Sequence, residues 1–462
     1  MSYAYDYHSL LYKTASSATA TLQSKEEQRR IPYATLLEDM RNIITRDHPE
    51  LIREVFHEAG QQEARTLIKK EVHRQHVIVA DEGTDKLNTL VDQIYDDLFG
   101  FGILTQYIYD ENVQEINGNR WDDVEIITAD GYFKLAEKFT GPRQAQAVVR
   151  RMAQLGGVTV DGSTPDGDSY ITEGVRIHVK VPPIIDEKAA VQFSIRKQRR
   201  EVFTREEFIS RDTATPLELD FLSLALSHGV SIGIAGSAGS GKTTDVNYLL
   251  STMPSSLRIY VIEEAREIQL EQQNTDGTYI SRVMHTKTRH DLNAAYNIDA
   301  RRLVRDALWC DPDIIVPAEM RGAEALDVME AGRTGHTIIS TFHAQGNEDA
   351  YKRIASMAMM AGAGYSENML LSFAYASFPL MVYKVQLADG TRKYVEIAEA
   401  RRDSASDEYK VVPLFQFIPT GRDEHGRITG RHEKVNNISE SLANRMRLKG
   451  ATKEELKPFV DK

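Results

Sequence analysis

The sequence has very little cysteine and no long hydrophobic run. Cys310 is the single cysteine in 462 residues, so neither an internal disulfide nor a four-cysteine zinc site can form. The most apolar stretch, residues 370–383, is interrupted by serine and proline, and it is shorter than the roughly 20 residues that cross a bilayer. The first residues also lack the basic and apolar segments of a secretory signal. We therefore expect a cytoplasmic protein without a transmembrane segment or a structural metal site.

The sequence also lacks the excess of positive charge that dedicated nucleic-acid-binding proteins usually carry. Lys and Arg number 56 against 68 Asp and Glu, which gives a formal net charge of −12. This balance predicts no direct contact with nucleic acid, although a local basic surface is compatible with it. Hydrophobic residues make up 41% of the chain, which is an ordinary share for a protein that folds around hydrophobic cores.

The hydrophobic patterns divide the chain into segments of different kinds. Its length is enough for about three domains. Helical spacing of apolar residues is followed by strand-like runs, and beyond residue 216 short β-branched runs alternate with helical patterns, which is typical of a parallel sheet with crossover helices. The predicted segments are a mobile arm (1–30), a helical region (31–100), an α+β domain (101–200), a linker (201–215), an α/β domain ending in a β-hairpin (216–420) and a polar tail (421–462).

Two further segments contain few apolar residues. Residues 156–174 are crowded with Gly, Asp, Ser, Thr and Pro, which predicts a long surface loop. Residues 272–297 are polar and without a clear period, so no structure or role is assigned to them.

The strongest chemical signal is the stretch GSAGSGKTT, which directly follows an apolar strand-like run. It satisfies the pattern G-x-x-x-x-G-K-[ST], in which glycines let backbone N–H groups surround a polyphosphate. Lys242 would reach the β- and γ-phosphates, and Thr243 could ligate Mg²⁺. A chance match in a glycine-rich turn is the alternative. The predicted nucleotide-binding residues are Gly236, Ser237, Ala238, Gly239, Ser240, Gly241, Lys242, Thr243 and Thr244.

Carboxylates follow the next two predicted strands of this domain. Glu263, Glu264 and Glu267 come after the first of them. Glu319 follows the second. Because ligands of an open α/β sheet bind at the carboxyl ends of its strands, these residues are candidates to orient or deprotonate water or to hold Mg²⁺ through water. A solvated acidic turn is the alternative for the first group, and a helix cap beside Arg321 is the alternative for Glu319.

Two histidines flank the last predicted strand of the parallel sheet. His336 precedes the strand and His343 follows it. A third ligand at a usual spacing for zinc is missing, so contact with the γ-phosphate or its attacking water is the favoured interpretation. The alternative is a pair of buried, hydrogen-bonded histidines that fix the end of the sheet.

The order of these motifs resembles that of a known family. The phosphate loop, IEEAREI, PDIIVPAEMR and TGHTIISTFHA are similar to the four motif boxes of the type II/type IV secretion ATPase superfamily. FGFGILTQYIYDENVQEINGN and VQFSIRK resemble the start and end of that family's N-terminal domain, and YKVQLADGTRKYVEIAEA with VVPLFQF resembles the tail of its Tad (Flp) pilus branch. The resemblance covers residues 95–418 and favours the conjugation or Tad pilus assembly branches, since the four-cysteine module of many other members is missing.

The resemblance implies a fold and an activity. It implies a RecA-like P-loop NTPase domain with a parallel sheet, preceded by a smaller α+β domain and a helical region. It also implies a homo-hexameric ring that hydrolyses ATP with Mg²⁺ and powers pilus assembly, protein secretion or conjugative transfer at an inner-membrane platform protein, on the cytoplasmic face of the membrane. By the same resemblance the catalytic residues are Glu319, Glu263, Glu267, His343, Arg176 and Arg196, with His336 in the histidine box.

Some residues depart from the family pattern, and other functions stay open. Glu264 stands where the family usually has Asp, Ala318 replaces the usual glycine, and Trp309 with Cys310 replaces an arginine-containing stretch. These changes could slow turnover. A DNA-translocating RecA-like ATPase and a nucleotide-gated scaffold with little hydrolysis are the alternatives, and for either arginine of the N-terminal domain an ordinary ion pair is the alternative. Nothing in the sequence identifies the transported substrate or the direction of the motor.

Overall fold

A computed structural model describes residues 33–48, 51, 58–74, 84–128, 131–172, 174–198, 202–272, 278–289, 296–403 and 408–461. The predicted mobile arm lies outside this range. The chain separates into two compact units, Met1–Arg199 and Arg200–Lys462. Within the described part of the chain, no helix is both long enough and apolar enough to span a membrane.

Among the described residues, the first unit starts with the helices α1 (Tyr33–Asp47), α2 (Glu58–Arg74) and α3 (Thr84–Leu98). Their apolar residues recur at spacings of three and four, so each helix has one apolar face. These faces meet in a small core that includes Leu36, Met40, Ile68, Val91 and Ile94. This arrangement agrees with the helical region predicted from the sequence.

An α+β fold follows within the first unit. After a short 3₁₀ turn (Gly102–Leu104) and α4 (Thr105–Tyr109), the elements are β1 (Val113–Arg120), β2 (Asp123–Thr128), β3 (Gly131–Lys134), α5 (Pro142–Leu155), β4 (Asp166–Thr172), β5 (Val175–Lys180) and β6 (Gln192–Lys197). The strands pair antiparallel in the order β3-β2-β1-β6-β5-β4. Because alternate residues of a strand point to opposite faces, one face carries buried residues such as Ile116 and Ile177, which form a core with α5.

The second unit contains the parallel sheet. Its first half consists of α6 (Arg205–Ser210), α7 (Pro216–Ser227), β7 (Ile232–Gly236), α8 (Lys242–Ser251), β8 (Arg258–Glu263), β9 (Arg282–Lys287), α9 (Ala300–Trp309) and β10 (Ile314–Pro317). The second half consists of α10 (Glu324–Arg333), β11 (Thr337–Phe342), α11 (Asn347–Met359), α12 (Glu367–Ser377), β12 (Leu380–Gln386), β13 (Arg392–Arg402), β14 (Tyr409–Arg422), β15 (Ile428–Lys434), α13 (Glu440–Leu448) and α14 (Lys453–Val460).

The nine strands are ordered β15-β14-β13-β12-β7-β11-β10-β8-β9. From β12 to β9 neighbouring strands are parallel, whereas β12 to β15 form antiparallel pairs. Strands β7, β10 and β11 are buried along their whole length, as expected for parallel strands covered on both faces. One face packs against α7, α8, α13 and α14, and the other against α9 to α12. The predicted fold class is therefore confirmed.

Three segments have more structure than the sequence predicted. The expected loop 156–174 contains β4, the expected linker 201–215 contains α6, and the polar stretch 272–297 contains β9 at the edge of the sheet. Helix α6 forms because Thr204 and Glu207 make a reciprocal capping box, which satisfies backbone N–H groups at its start. The sequence did not predict strand β9 because its side chains are only partly buried, so it lacks a strong apolar signal.

The expectation of a polar tail at 421–462 is corrected. This segment contains the end of β14, β15, α13 and α14. Leu442, Met446, Leu456 and Phe459 are buried in the same core as the strand that leads to the phosphate loop. Only a few apolar residues at spacings of three and four carry this packing, so their periodicity is weak within a polar stretch.

Candidate nucleotide-binding site

The glycine-rich loop connects the carboxyl end of β7 to the first turn of α8. Gly239 and Gly241 have φ values of 74° and 85°, a region that residues with a Cβ rarely adopt. A Cβ on Gly236 would lie 2.1 Å from the carbonyl oxygen of Lys384, so the loop can follow its path only with glycine there. Thr243 and Thr244 lie partly buried in the first turn of α8. The loop therefore has the backbone shape that the motif predicted.

The side chain of Lys242 is folded back along the loop. Its Nζ donates hydrogen bonds to the carbonyl oxygens of Gly236 (3.0 Å) and Ser237 (2.9 Å). Lys242 is only 8% exposed, and the helix N-terminus beside it adds partial positive charge. These contacts hold a cation at the centre of the loop.

His343 and Glu319 lie next to Lys242 at the carboxyl ends of β11 and β10. Nδ1 of His343 is 3.4 Å from Nζ of Lys242. Nε2 of His343 is 3.1 Å from Oε1 of Glu319, but without hydrogen-bond geometry, because this carboxylate oxygen is buried without a donor. The predicted lysine, histidine and carboxylate thus meet at one edge of the sheet.

Arg321 joins Glu319 to Glu264. Its guanidinium donates to Oε2 of Glu319 at 2.6 Å and to Oε2 of Glu264 at 2.8 Å. Burial acts to raise the pKa of Glu319, but the hydrogen bond and charge of Arg321, with smaller contributions from His343 and Lys242, lower it overall. Glu319 is therefore held as a carboxylate at neutral pH.

Glu263 shapes the backbone that follows β8. Its Oε1 accepts hydrogen bonds from the backbone N–H groups of Glu267 (2.8 Å) and Ile268 (2.9 Å). Its Oε2 is buried without a hydrogen-bond donor and lies 3.8 Å from Nδ1 of His285, which is itself buried on β9. This geometry gives Glu263 a role in holding the turn, while Glu267 contributes its backbone N–H.

The remaining predicted residues lie elsewhere. Arg176 and Arg196 are in the first unit, directly opposite each other on β5 and β6, and Arg176 donates to Asp168 at 3.0 Å. His336 precedes β11 and His343 follows it, so the two histidines are seven residues apart along an extended strand, a distance of about 23 Å at roughly 3.3 Å per residue. The structure does not bring His336 to the loop.

Sequence reasoning did not identify two cations that contact the loop from the β12–β13 hairpin. Nζ of Lys384 lies 3.2 Å from the carbonyl oxygen of Gly241, and Nε of Arg392 donates to that of Gly239 at 2.8 Å. A lysine inside the apolar run LMVYKV was the available signal, because a lysine in a buried strand requires a partner. The acidic partner of Lys384, Asp245, lies on α8.

Comparison with known proteins found a matching family model and similar sequences. Residues 98–377, more than half of the chain, match the family model described as Type II/IV secretion system protein. The Type IV secretion system protein PtlH of Bordetella pertussis is 34% identical over 208 residues, which are 40% of this chain and 59% of PtlH. The putative conjugal transfer protein MT3759 of Mycobacterium tuberculosis is 23% identical over 313 residues, which are 66% of this chain and 86% of that protein.

Solved structures that resemble this chain include two named ATPases. The X-ray structure of the Yersinia pseudotuberculosis ATPase DotB is 13% identical with a TM-score of 0.49, and covers 67% of this chain and 80% of DotB. The pilus retraction motor PilT with bound ADP is 14% identical with a TM-score of 0.47, and covers 78% of this chain and 87% of PilT. On the strength of the family model, this chain belongs to the Type II/IV secretion system protein family.

Proposed function

We propose that this protein is a P-loop ATPase that converts ATP and water to ADP and phosphate. The observation that carries the proposal is the meeting of three side chains at one sheet edge: Lys242 in the glycine loop, His343 at 3.4 Å from it, and Glu319 at 3.1 Å from His343. Phosphoryl transfer to water needs positive charge beside the phosphate and a residue that orients the attacking water, which Lys242 and Glu319 would supply.

The residues present fit Mg²⁺ as well as ATP. Oε1 of Glu319 is a buried carboxylate oxygen without a hydrogen-bond donor, and the hydroxyl of Thr243 stands in the first turn of α8. Oxygen donors of this kind are the ligands that Mg²⁺ prefers. When bound, Mg²⁺ would neutralise charge on the phosphate oxygens. Thr243 would hold it directly and Glu319 through water.

Within this site the side chains divide the work. Lys242 exchanges its two carbonyl partners for phosphate oxygens. Glu319, kept ionised by Arg321, orients the attacking water and accepts its proton. His343 lies between Lys242 and Glu319 and contacts the terminal phosphate. Glu263 keeps the turn after β8 in place through its bonds to the backbone of Glu267 and Ile268.

The remaining part of the proposal concerns assembly. We infer a cytoplasmic homo-hexamer in which Arg176 and Arg196 supply positive charge to a bound nucleotide and which acts on an inner-membrane platform protein. Arg176 and Arg196 lie directly opposite each other on neighbouring strands, so a single anion would be able to contact both. Since the relatives described above are named for secretion and conjugal transfer, the work is protein secretion, pilus assembly or conjugative transfer.

The proposed ATPase activity is tested by measuring phosphate release at saturating MgATP. The measurement compares the wild-type protein with the variants Lys242→Ala and Glu319→Gln. The first variant should lose MgATP binding. The second should bind MgATP normally but turn over about 10²–10⁴-fold more slowly, which is the usual contribution of general base catalysis. The matched controls are Lys410→Ala, which changes an exposed residue on β14, and Glu433→Gln, which changes a half-buried residue on β15.

Three outcomes separate the alternatives. Equal, negligible rates of phosphate release in the wild-type protein and in both variants would indicate a nucleotide-gated scaffold with little hydrolysis. Strong stimulation by DNA that disappears at higher salt would indicate DNA translocation. The hexamer is tested by measuring the mass of the protein in solution with and without MgATP, where a monomer under both conditions would contradict the ring.

A further inference from the structure

The core of the second unit contains a charged pair that the proposed reaction does not use. Nζ of Lys384 on β12 lies 2.5 Å from Oδ1 of Asp245 on α8. The two side chains are only 3% and 0% exposed. Removing two charges from water costs free energy unless close geometry and additional hydrogen bonds compensate for it. A pair in this position is therefore expected to have a specific role.

The pair is attached to the phosphate loop. Nζ of Lys384 also donates to the carbonyl oxygen of Gly241 at 3.2 Å. Gly241 is the N-cap residue of α8 and directly precedes Lys242, the first residue of that helix. The same carbonyl accepts the first helical hydrogen bond, from the N–H of Asp245 at 3.3 Å. Asp245 therefore holds the ammonium group against the end of the loop.

This contact fixes the direction of one peptide group. In a trans peptide the carbonyl and the following N–H point in opposite directions. Lys384 and the N–H of Asp245 both bind the carbonyl of Gly241, so the N–H of Lys242 points away from them, in the direction of the N-terminal end of α8. Arg392 from the same hairpin binds the carbonyl of Gly239 at 2.8 Å, so the loop is held at two carbonyls.

We propose that Lys384, with Asp245 as its buried counter-charge, is a positioning residue that orients the Gly241–Lys242 peptide for phosphate binding. The inference rests on the proposed ATPase function and extends it to residues outside the motif. Because Lys384 is only 3% exposed and its ammonium group is paired with Asp245, we assign it no direct contact with the phosphate. Burial raises the pKa of Asp245 to about 6 despite the nearby ammonium, which is consistent with an enclosed pair.

The decisive variant is the double substitution Asp245→Leu with Lys384→Met. Replacing a buried ion pair with apolar residues often leaves stability unchanged or increased, so this variant should fold while lacking the anchor on Gly241. We expect a melting temperature close to that of the wild type and an affinity for MgATP about tenfold weaker, the size expected from the loss of one charge-assisted hydrogen bond.

Lys393→Met is the matched control. Lys393 lies on the same hairpin, its side chain is only 4% exposed, and it pairs with Asp212 at 2.6 Å, but its bonds lead to the backbone of residues 211 and 212 and not to the loop. This variant should lose stability and retain the affinity for MgATP at temperatures well below its transition. If the double variant binds MgATP as tightly as the wild type, the pair has only a structural role and the proposal is overturned.

Hydrogen–deuterium exchange without nucleotide tests the anchor independently of catalysis. Amides of residues 236–245 should exchange about tenfold faster in the double variant than in the wild type. Local opening of the loop then breaks one fewer charge-assisted hydrogen bond, so the open state is populated about tenfold more often. Unchanged exchange would overturn the anchor. A wild-type protein that neither binds nor hydrolyses ATP would refute the proposed function, while the exchange rates would still show whether Lys384 holds the loop.

Discussion

Replacing Gly236 with alanine should disable the site by a steric route. The new Cβ would lie 2.1 Å from the carbonyl oxygen of Lys384 and 2.9 Å from Oγ of Ser240. The first distance is about 1 Å shorter than an ordinary contact, and the atom it meets is backbone in a central strand, so the loop must move away from β12. Overpacking of this kind costs about 1–3 kcal/mol.

The substitution should have a small effect on stability and a larger effect on the affinity for MgATP. At about 2–4 °C per kcal/mol for a domain of this size, the melting temperature should fall by about 5 °C. Affinity for MgATP should fall by about 10²-fold, because a displacement of about 1 Å is enough to misalign groups that must meet the phosphates. Differential scanning fluorimetry and titration with a fluorescent ATP analogue measure the two effects separately.

Gly421→Ala is the control within the same unit. A Cβ at that position would lie 3.8 Å from Oγ1 of Thr429, an ordinary contact, so stability and affinity should both stay close to those of the wild type. If Gly236→Ala keeps both the melting temperature and the affinity of the wild-type protein, the close packing of the loop on β12 is not as described and the reasoning fails.

Three further predictions concern other parts of the second unit. Arg321→Met should raise the pKa of Glu319, since the hydrogen bond and charge that oppose burial are lost; the acidic limb of the pH–rate profile then moves to higher pH. Burial acts to lower the pKa of His432, but the hydrogen bond and charge of Glu218 raise it overall. The interaction between the two side chains therefore stabilises the folded protein fully below about pH 6.5, and this stabilisation is lost as the pH rises through the raised pKa of His432. His432→Phe should therefore destabilise most in acid, in melting curves from pH 5 to 8. Phe459→Ala should cost about 3–5 kcal/mol in urea unfolding, since this side chain is buried against Phe221.

Each of these predictions has a clear opposing result. An unchanged acidic limb in the Arg321 variant would mean that Glu319 does not limit the rate. A stability difference that is constant from pH 5 to 8 would remove His432 as the titrating group. A Phe459 variant as stable as the wild type would mean that α14 is not part of the core. Arg431→Ala, which changes an exposed neighbour of His432 on β15, should show no pH-dependent loss.

The sequence was most informative where one residue type has one physical use. Glycine is the residue that readily adopts the backbone conformation at Gly239 and Gly241. Short β-branched runs such as β7 and β11, alternating with helical patterns, favour a parallel sheet, so the loop and the sheet could be predicted from the sequence. Signals were weak where packing needed few apolar residues, as in α13 and α14. Contacts between distant segments, such as Lys384 with Asp245, depend on the strand order, which local patterns do not contain.

The bonds of Lys242 to its own loop have a thermodynamic consequence. Its ammonium group already has two carbonyl partners at 3.0 and 2.9 Å, so an incoming phosphate replaces hydrogen bonds instead of adding them. Net binding free energy must then come from the stronger attraction of a full negative charge over a carbonyl dipole. An uncharged mimic of the phosphate chain would form hydrogen bonds of the same geometry but would gain almost no binding free energy. The loop is therefore selective for anions, because any ligand must displace the loop's own carbonyl groups from Lys242.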